Sequence, residues 1–182
     1  KGGLDNVNFD FDVNYLDVQT LNELALVGQS DVLKVSFGVW TKVRKDYLLL
    51  NCGGAMGYGC GPLLLIQNGR EFKPDQEVWV PGENTTARFL LESWFNEKYP
   101  KITPKFKFAL FDEVYQKINC GEINQAVVIH ECRFTYEQDG LKLHKDLGEW
   151  WEGSKNLPIP LGGILLHRKW GHFKVKIEEL IR

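Results

Sequence analysis

A histidine directly after a run of apolar residues, in Ala126-Val127-Val128-Ile129-His130, pairs the side chain best suited to proton transfer with the end of a strand. An imidazole takes up a proton near neutral pH and gives it back, which is what general-base catalysis requires. His144, His167 and His172 follow polar or peripheral contexts, so position singles out His130 as the candidate base at the mouth of a cleft. On these residues alone, a strand-end histidine bonded to a backbone carbonyl is an equally good reading. Glu131 points away if the strand continues, and so is not paired with His130. Cys132 invites a Cys-His nucleophile, but nothing orients the pair, and an inert buried thiol is the better reading. Arg133 is a candidate anion clamp whose default is solvent exposure.

A second constellation is the turn Pro81-Gly-Glu-Asn-Thr-Thr86. Its glycine permits close backbone approach, and the helix start behind it offers N–H groups and a favourable dipole to a carboxylate or phosphate. Asn84, Thr85 or Thr86 can equally serve as a helix cap, the commoner role for such residues. Lys34-Val35-Ser36, at the end of Asp31-Val-Leu-Lys-Val-Ser36, and Asp112, after Phe106-Lys-Phe-Ala-Leu-Phe111, are the other strand-end positions. Ligands in doubly wound sheets bind beyond such ends. The cluster Gly57-Tyr-Gly-Cys-Gly61 lacks the spacing of a dinucleotide loop and the Lys-Ser/Thr of a triphosphate loop.

These positions depend on the elements that carry them. Residues 9–17 alternate Phe9, Phe11, Val13 and Tyr15 with polar neighbours and predict a strand. Residues 18–28 shift to helical spacing, with Val18, Leu21 and Leu24 on one stripe and Gly28 as a stop. From Glu77 the order is regular: strand, helix over about 85–98, strand, helix over 112–119 capped by Asp112, and the strand that ends at His130. Repeated βα units favour a parallel sheet covered by helices, with Val78, Val80, Phe106, Phe108, Leu110, Val127, Val128 and Ile129 as its core. The apolar runs 62–67 and 161–167 suit strands that cross between two lobes, giving residues 1–65 and 164–182 to the first lobe and 66–163 to the second. A short amphipathic helix over 171–182 closes the sequence with little left to pack on.

With 182 residues, 43% of them hydrophobic, the chain can bury a sizeable core. A net charge of -2 provides no basic field for nucleic acid, and no apolar stretch approaches the ~20 residues of a membrane span. The four cysteines form no CxxC pair, which suits reduced thiols in a cytoplasmic protein better than a zinc or disulfide framework. The sequence does not begin with Met, so the true start is expected to lie upstream.

Taken in order, Leu33-Lys-Val-Ser-Phe-Gly-Val-Trp40, Asn51-Cys-Gly-Gly-Ala-Met-Gly-Tyr-Gly-Cys-Gly-Pro62, Val80-Pro-Gly-Glu-Asn-Thr-Thr-Ala-Arg88, Val127-Val-Ile-His-Glu-Cys-Arg133 and Asp146-Leu-Gly-Glu-Trp-Trp-Glu152 resemble the 1,4-dihydroxy-6-naphthoate synthases of the futalosine route to menaquinone. The resemblance runs over nearly the whole chain. It implies an α/β, two-lobed fold like the type II periplasmic binding proteins, here lacking the family's N-terminal strand and C-terminal helices. It implies a carbon-carbon lyase that converts cyclic dehypoxanthine futalosine to 1,4-dihydroxy-6-naphthoate and dihydroxyacetone, with His130 as proton acceptor. Substrate contacts are implied for Lys34, Val35 and Ser36 on one lobe and for Thr86 and Ala87 on the other. No metal or organic cofactor is implied, and a small-molecule substrate, with the protein a monomer or homodimer, completes the expectation. The rival readings are a non-catalytic solute-binding protein of the same fold and the chorismate dehydratase of the same pathway.

Overall fold

In the computed structural model, which describes residues 9–182, nine strands and their helices build on two sheets. The chain runs α1 (Val18–Leu26), β1 (Val32–Ser36), α2 (Phe37–Val43), β2 (Tyr47–Leu49), β3 (Ala55–Gly57), β4 (Leu63–Gln67), β5 (Glu77–Pro81), α3 (Thr86–Lys98) and β6 (Lys105–Ala109). It continues through α4 (Phe111–Asn119), β7 (Gln125–Val128), α5 (Cys132–Thr135), β8 (Leu141–Asp146), α6 (Leu147–Lys155), β9 (Ile159–His167), a 3-10 turn (Arg168–Phe173) and α7 (Lys174–Ile181).

In the first sheet β9 lies between β1 and β2 and also pairs with β3, all antiparallel. Leu33, Val35, Val39, Val43, Tyr47 and Leu165 fill one face, while Leu50, Leu166 and Ile177 of α7 close the other. The second sheet has the order β6-β5-β7-β4-β8, in which β5 is parallel to β6 and β7 and β4 is antiparallel to β7 and β8. Along β4, Leu64 faces the cluster under α3, whereas Leu63 and Leu65 face the cluster under α4. Both faces of β4 are covered, so its apolar run is continuous rather than alternating. The α3 stripe is the expected one: Ala87, Leu90, Leu91, Trp94 and Phe95 are all buried. Burying each of the larger side chains contributes about 1.5–3 kcal/mol.

The two-lobed α/β fold follows the sequence expectation, with corrections in detail. Residues 9–17 form no strand: Phe9 packs on Phe173 outside the segment, while Phe11, Val13 and Tyr15 stand exposed. The second sheet is mixed rather than parallel, since β4 and β8 enter and leave it antiparallel to their neighbours. β6 is its edge strand, which leaves Phe108 and Leu110 exposed instead of in the core. Asp112 does not cap α4; the helix starts at Phe111 with no side-chain cap, and Asp112 sits in its first turn, where it favours the dipole. The C-terminal helix does have something to pack on, through Ile177. Strands change sheet between β3 and β4 and again between β8 and β9, while the divisions expected after residues 65 and 163 fall inside β4 and β9.

Candidate functional site

Two helix starts meet where the lobes touch. Ser36 ends β1 and caps α2, its Oγ accepting from the Gly38 N–H at 3.3 Å. α2 can approach the second lobe closely because position 38 is glycine: a Cβ there would fall 2.5 Å from the backbone C and O of Thr85. On the facing side the sequence left three possible caps for α3, and the structure uses Thr85, whose Oγ1 accepts from Arg88 N–H and donates to the Gly82 carbonyl. Thr86 is thereby left to face the first lobe. Its N–H donates to Ser36 Oγ at 2.7 Å, and the two hydroxyl oxygens are 3.0 Å apart.

The proton directions follow from the partners. Thr86 Oγ1 lies 2.9 Å from the carbonyl oxygen of Pro160, which can only accept, so Thr86 donates there. Ser36 already accepts two N–H groups, so its own proton goes to Thr86 Oγ1. Both hydroxyls therefore spend their donors inside the contact. Antiparallel pairing turns the main-chain groups of alternate residues to opposite edges. Ser36 N–H donates away from β9, to Asn22 Oδ1 at 2.9 Å, so the Lys34 main chain shares that edge while that of Val35 faces β9. The Lys34 side chain is exposed, whereas those of Val35 and Ala87 lie in the hydrophobic clusters of their lobes. Neither Val35 nor Ala87 has a side chain free to touch a ligand, so any contact they make is through the backbone.

Parallel pairing of β5 and β7, with Trp79 opposite Ala126, sends the Pro81–Thr86 turn and His130 out from the same edge of the second sheet. His130 lies two residues beyond β7, in the left-handed region at φ 59, exposed and edge-on to the Phe111 ring at 5.3 Å between centroids. Burial pushes the Cys132 thiol above its ordinary range, the opposite of what a thiolate nucleophile needs. Arg133 departs from the exposure expected of it. Its guanidinium holds the Gly61 carbonyl at 2.8 Å and pairs with Asp146, anchoring α5 to the segment that joins the two sheets.

The structure thus brings Ser36 and Thr86 into direct contact, and it puts His130 on the same sheet edge as Thr86. Sequence reasoning missed Asn22 and Lys42. Asn22, fully buried, links Ser36 N–H to the Asn84 carbonyl, and Lys42 Nζ donates to Asn84 Oδ1 at 2.7 Å. Spacing along α1 carried no signal for Asn22, since Gln19, Thr20 and Glu23 are polar too and the apolar stripe ran through Val18, Leu21 and Leu24. Two concavities of about 420 and 410 Å³ lie elsewhere on the second lobe, one walled by Trp94, Tyr99, His144 and Trp150 and the other by Trp79, Lys105 and Asn124. Among the described residues no helix is long and apolar enough to cross a membrane.

Known proteins share this architecture and sequence. The chain is 40% identical over 160 residues to a 1,4-dihydroxy-6-naphtoate synthase of Streptomyces coelicolor, covering 88% of this chain and 57% of that protein. It is 37% identical over 167 residues to the protein of the same name from Thermus thermophilus, covering 91% and 59%. The chain therefore spans under three fifths of the length of either relative. Among solved structures, protein AF1704 of Archaeoglobus fulgidus superposes with a TM-score of 0.75 at 29% identity, over 90% of this chain and 58% of that one. The alkanesulfonate-binding protein SsuA of Xanthomonas axonopodis pv. citri gives 0.65 at 12% identity, over 90% and 57%, a likeness of fold alone. A family model described as menaquinone biosynthesis matches residues 3–182, and the chain belongs to that family.

Proposed function

We propose that the protein of which this chain forms part is a cytoplasmic carbon-carbon lyase, converting cyclic dehypoxanthine futalosine to 1,4-dihydroxy-6-naphthoate with release of dihydroxyacetone. The observation that carries this reading is the inter-lobe contact of Ser36 with Thr86, on the sheet edge from which His130 also emerges. The names of the two relatives support the product.

In this reading the substrate lies between the lobes, held by the Lys34–Ser36 strand end on one side and by Thr86 and Ala87 at the start of α3 on the other. The α3 N-terminus suits a substrate carboxylate. His130 takes a proton from a substrate hydroxyl or acidic carbon and so starts a retro-aldol-type fragmentation that ends in an aromatic ring. Lobe closure removes water from the reacting bonds. No resident metal or organic cofactor takes part. Incubating the full-length protein with cyclic dehypoxanthine futalosine should yield the naphthoate, detected by mass. No product, under conditions where the Thermus relative makes it, would remove the assignment. Product from chorismate instead would identify a dehydratase, and ligand binding without turnover a solute-binding protein.

A further inference from the structure

Asn22 sits in the middle of α1, 0% exposed, with both ends of its amide engaged. Oδ1 accepts from Ser36 N–H at 2.9 Å, and Nδ2 donates to the Asn84 carbonyl at 3.0 Å. The amide orientation is fixed by its partners, because a backbone N–H only donates and a carbonyl only accepts. One partner belongs to the first lobe and the other to the second, each next to a proposed substrate contact. Lys42 grips the same turn through the Asn84 side chain at 2.7 Å. An apolar residue at position 22 would fill the space but would leave the buried Ser36 N–H and Asn84 carbonyl without this partner while the lobes are together. Asparagine satisfies both groups only when the lobes are together.

We propose that Asn22 is a positioning residue that latches the lobes, setting the Ser36 strand end against Thr86 before substrate arrives. The role rests on the reading of that contact as the substrate site. Weakening the latch lowers the population of closed, binding-competent protein, and so raises apparent KM more than it lowers kcat.

The test compares Asn22→Asp with wild type in the full-length protein. Aspartate still accepts from Ser36 N–H but offers no donor to the Asn84 carbonyl and sets a second oxygen against it. Amide hydrogen exchange of the ligand-free, folded protein should show Ser36 still protected and Thr86, whose N–H crosses the lobe boundary, exchanging roughly ten-fold faster. KM for cyclic dehypoxanthine futalosine should rise by about ten-fold, with kcat changed far less. Lys42→Met, which leaves Asn22 in place, should shift Thr86 exchange and KM in the same direction by less, and serves if the aspartate variant does not fold. Unchanged Thr86 protection in both variants overturns the latch, as does equal loss of protection at Ser36 and Thr86, which marks a purely structural asparagine. A shift in exchange with no change in KM overturns its role in positioning. Failure of the wild type to turn over the substrate would instead refute the proposed activity, and the exchange comparison still decides the latch.

Discussion

At His130 the backbone and the side chain make opposite demands. The left-handed φ of 59 suits glycine, and holding a histidine there costs about 1 kcal/mol. His130→Gly should therefore match or exceed wild-type stability by chemical denaturation, while product formation falls by about 10²–10⁴-fold, the usual worth of a positioned acid or base. His130→Ala should lose the same activity without the gain in stability. A histidine kept only for its fold would leave turnover intact in both. Thr86 makes a second residue-level test. Thr86→Val removes the donor to Pro160 O and the acceptor for the Ser36 hydroxyl, and should cost about 1–3 kcal/mol on urea unfolding. Thr86→Ser should keep most of that stability. The strand-end and helix-start positions of His130, Ser36 and Thr86 were legible in the sequence, because residue type marks such positions, while the roles proposed for them came from the family resemblance. Asn22 was not: the stripe read from spacing was Val18, Leu21 and Leu24, whereas the most buried positions of α1 are Asn22 and Ala25. Ala25 packs into the first lobe's cluster while Asn22 reaches the Asn84 turn of the second lobe, and one helix read by itself cannot reveal that neighbour.

Among the elements, α3 and β4 followed their patterns, while β6 and the Phe9–Tyr15 segment did not. α3 and β4 have apolar positions set by packing on known sides, so stripe and continuous run were enough to place them. β6 has the composition of a core strand but lies at an edge, a matter of sheet order rather than of its own residues. The Phe9–Tyr15 alternation likewise says which side chains would share a face, not whether a partner strand exists. α7 is fastened by a contact that no periodicity shows: buried Glu178 accepts from Asn51 N–H at 2.8 Å and neighbours Lys174. That bond, with Lys174 and Arg182 adding to it, lowers the Glu178 carboxyl below its ordinary 4.5. A depressed carboxyl pKa contributes stability that is present above the unfolded value and lost as pH falls through the folded one. Docking of α7 should therefore weaken as pH drops below about 4.5. In Glu178→Gln that part of the acid sensitivity should vanish, as read from hydrogen exchange across residues 174–181 at several pH values.

For the whole molecule, the decisive quantity is how closely the two sheets approach. Gly38 lets α2 reach α3, and Gly61 and Gly148 pass so closely that a Cβ on either would fall 2.7 Å or less from the other's Cα. Gly38→Ala should force the lobes apart at the Ser36–Thr86 contact. We expect a loss of about 1–3 kcal/mol, from overpacking against immovable backbone. KM for the proposed substrate should rise more than kcat falls. A variant with wild-type KM would mean that lobe contact at this point does not govern binding.

β9 is the centre of the first sheet and also supplies the Pro160 carbonyl that fixes Thr86, yet it comes some 120 residues after β1, its partner there. The second sheet, by contrast, takes all its strands from the uninterrupted stretch between β4 and β8. As the chain leaves the ribosome, the second sheet has every strand it needs before the first has its middle one. Until residue 167 has emerged, β1, β2 and β3 are three strands without a common neighbour, exposing Leu33, Val35 and Tyr47 to whatever else is in the cell. Within this stretch of chain, the sheet whose strands β1, β2 and β3 come first is thus completed after the other, and is the more dependent on protection from aggregation while it waits.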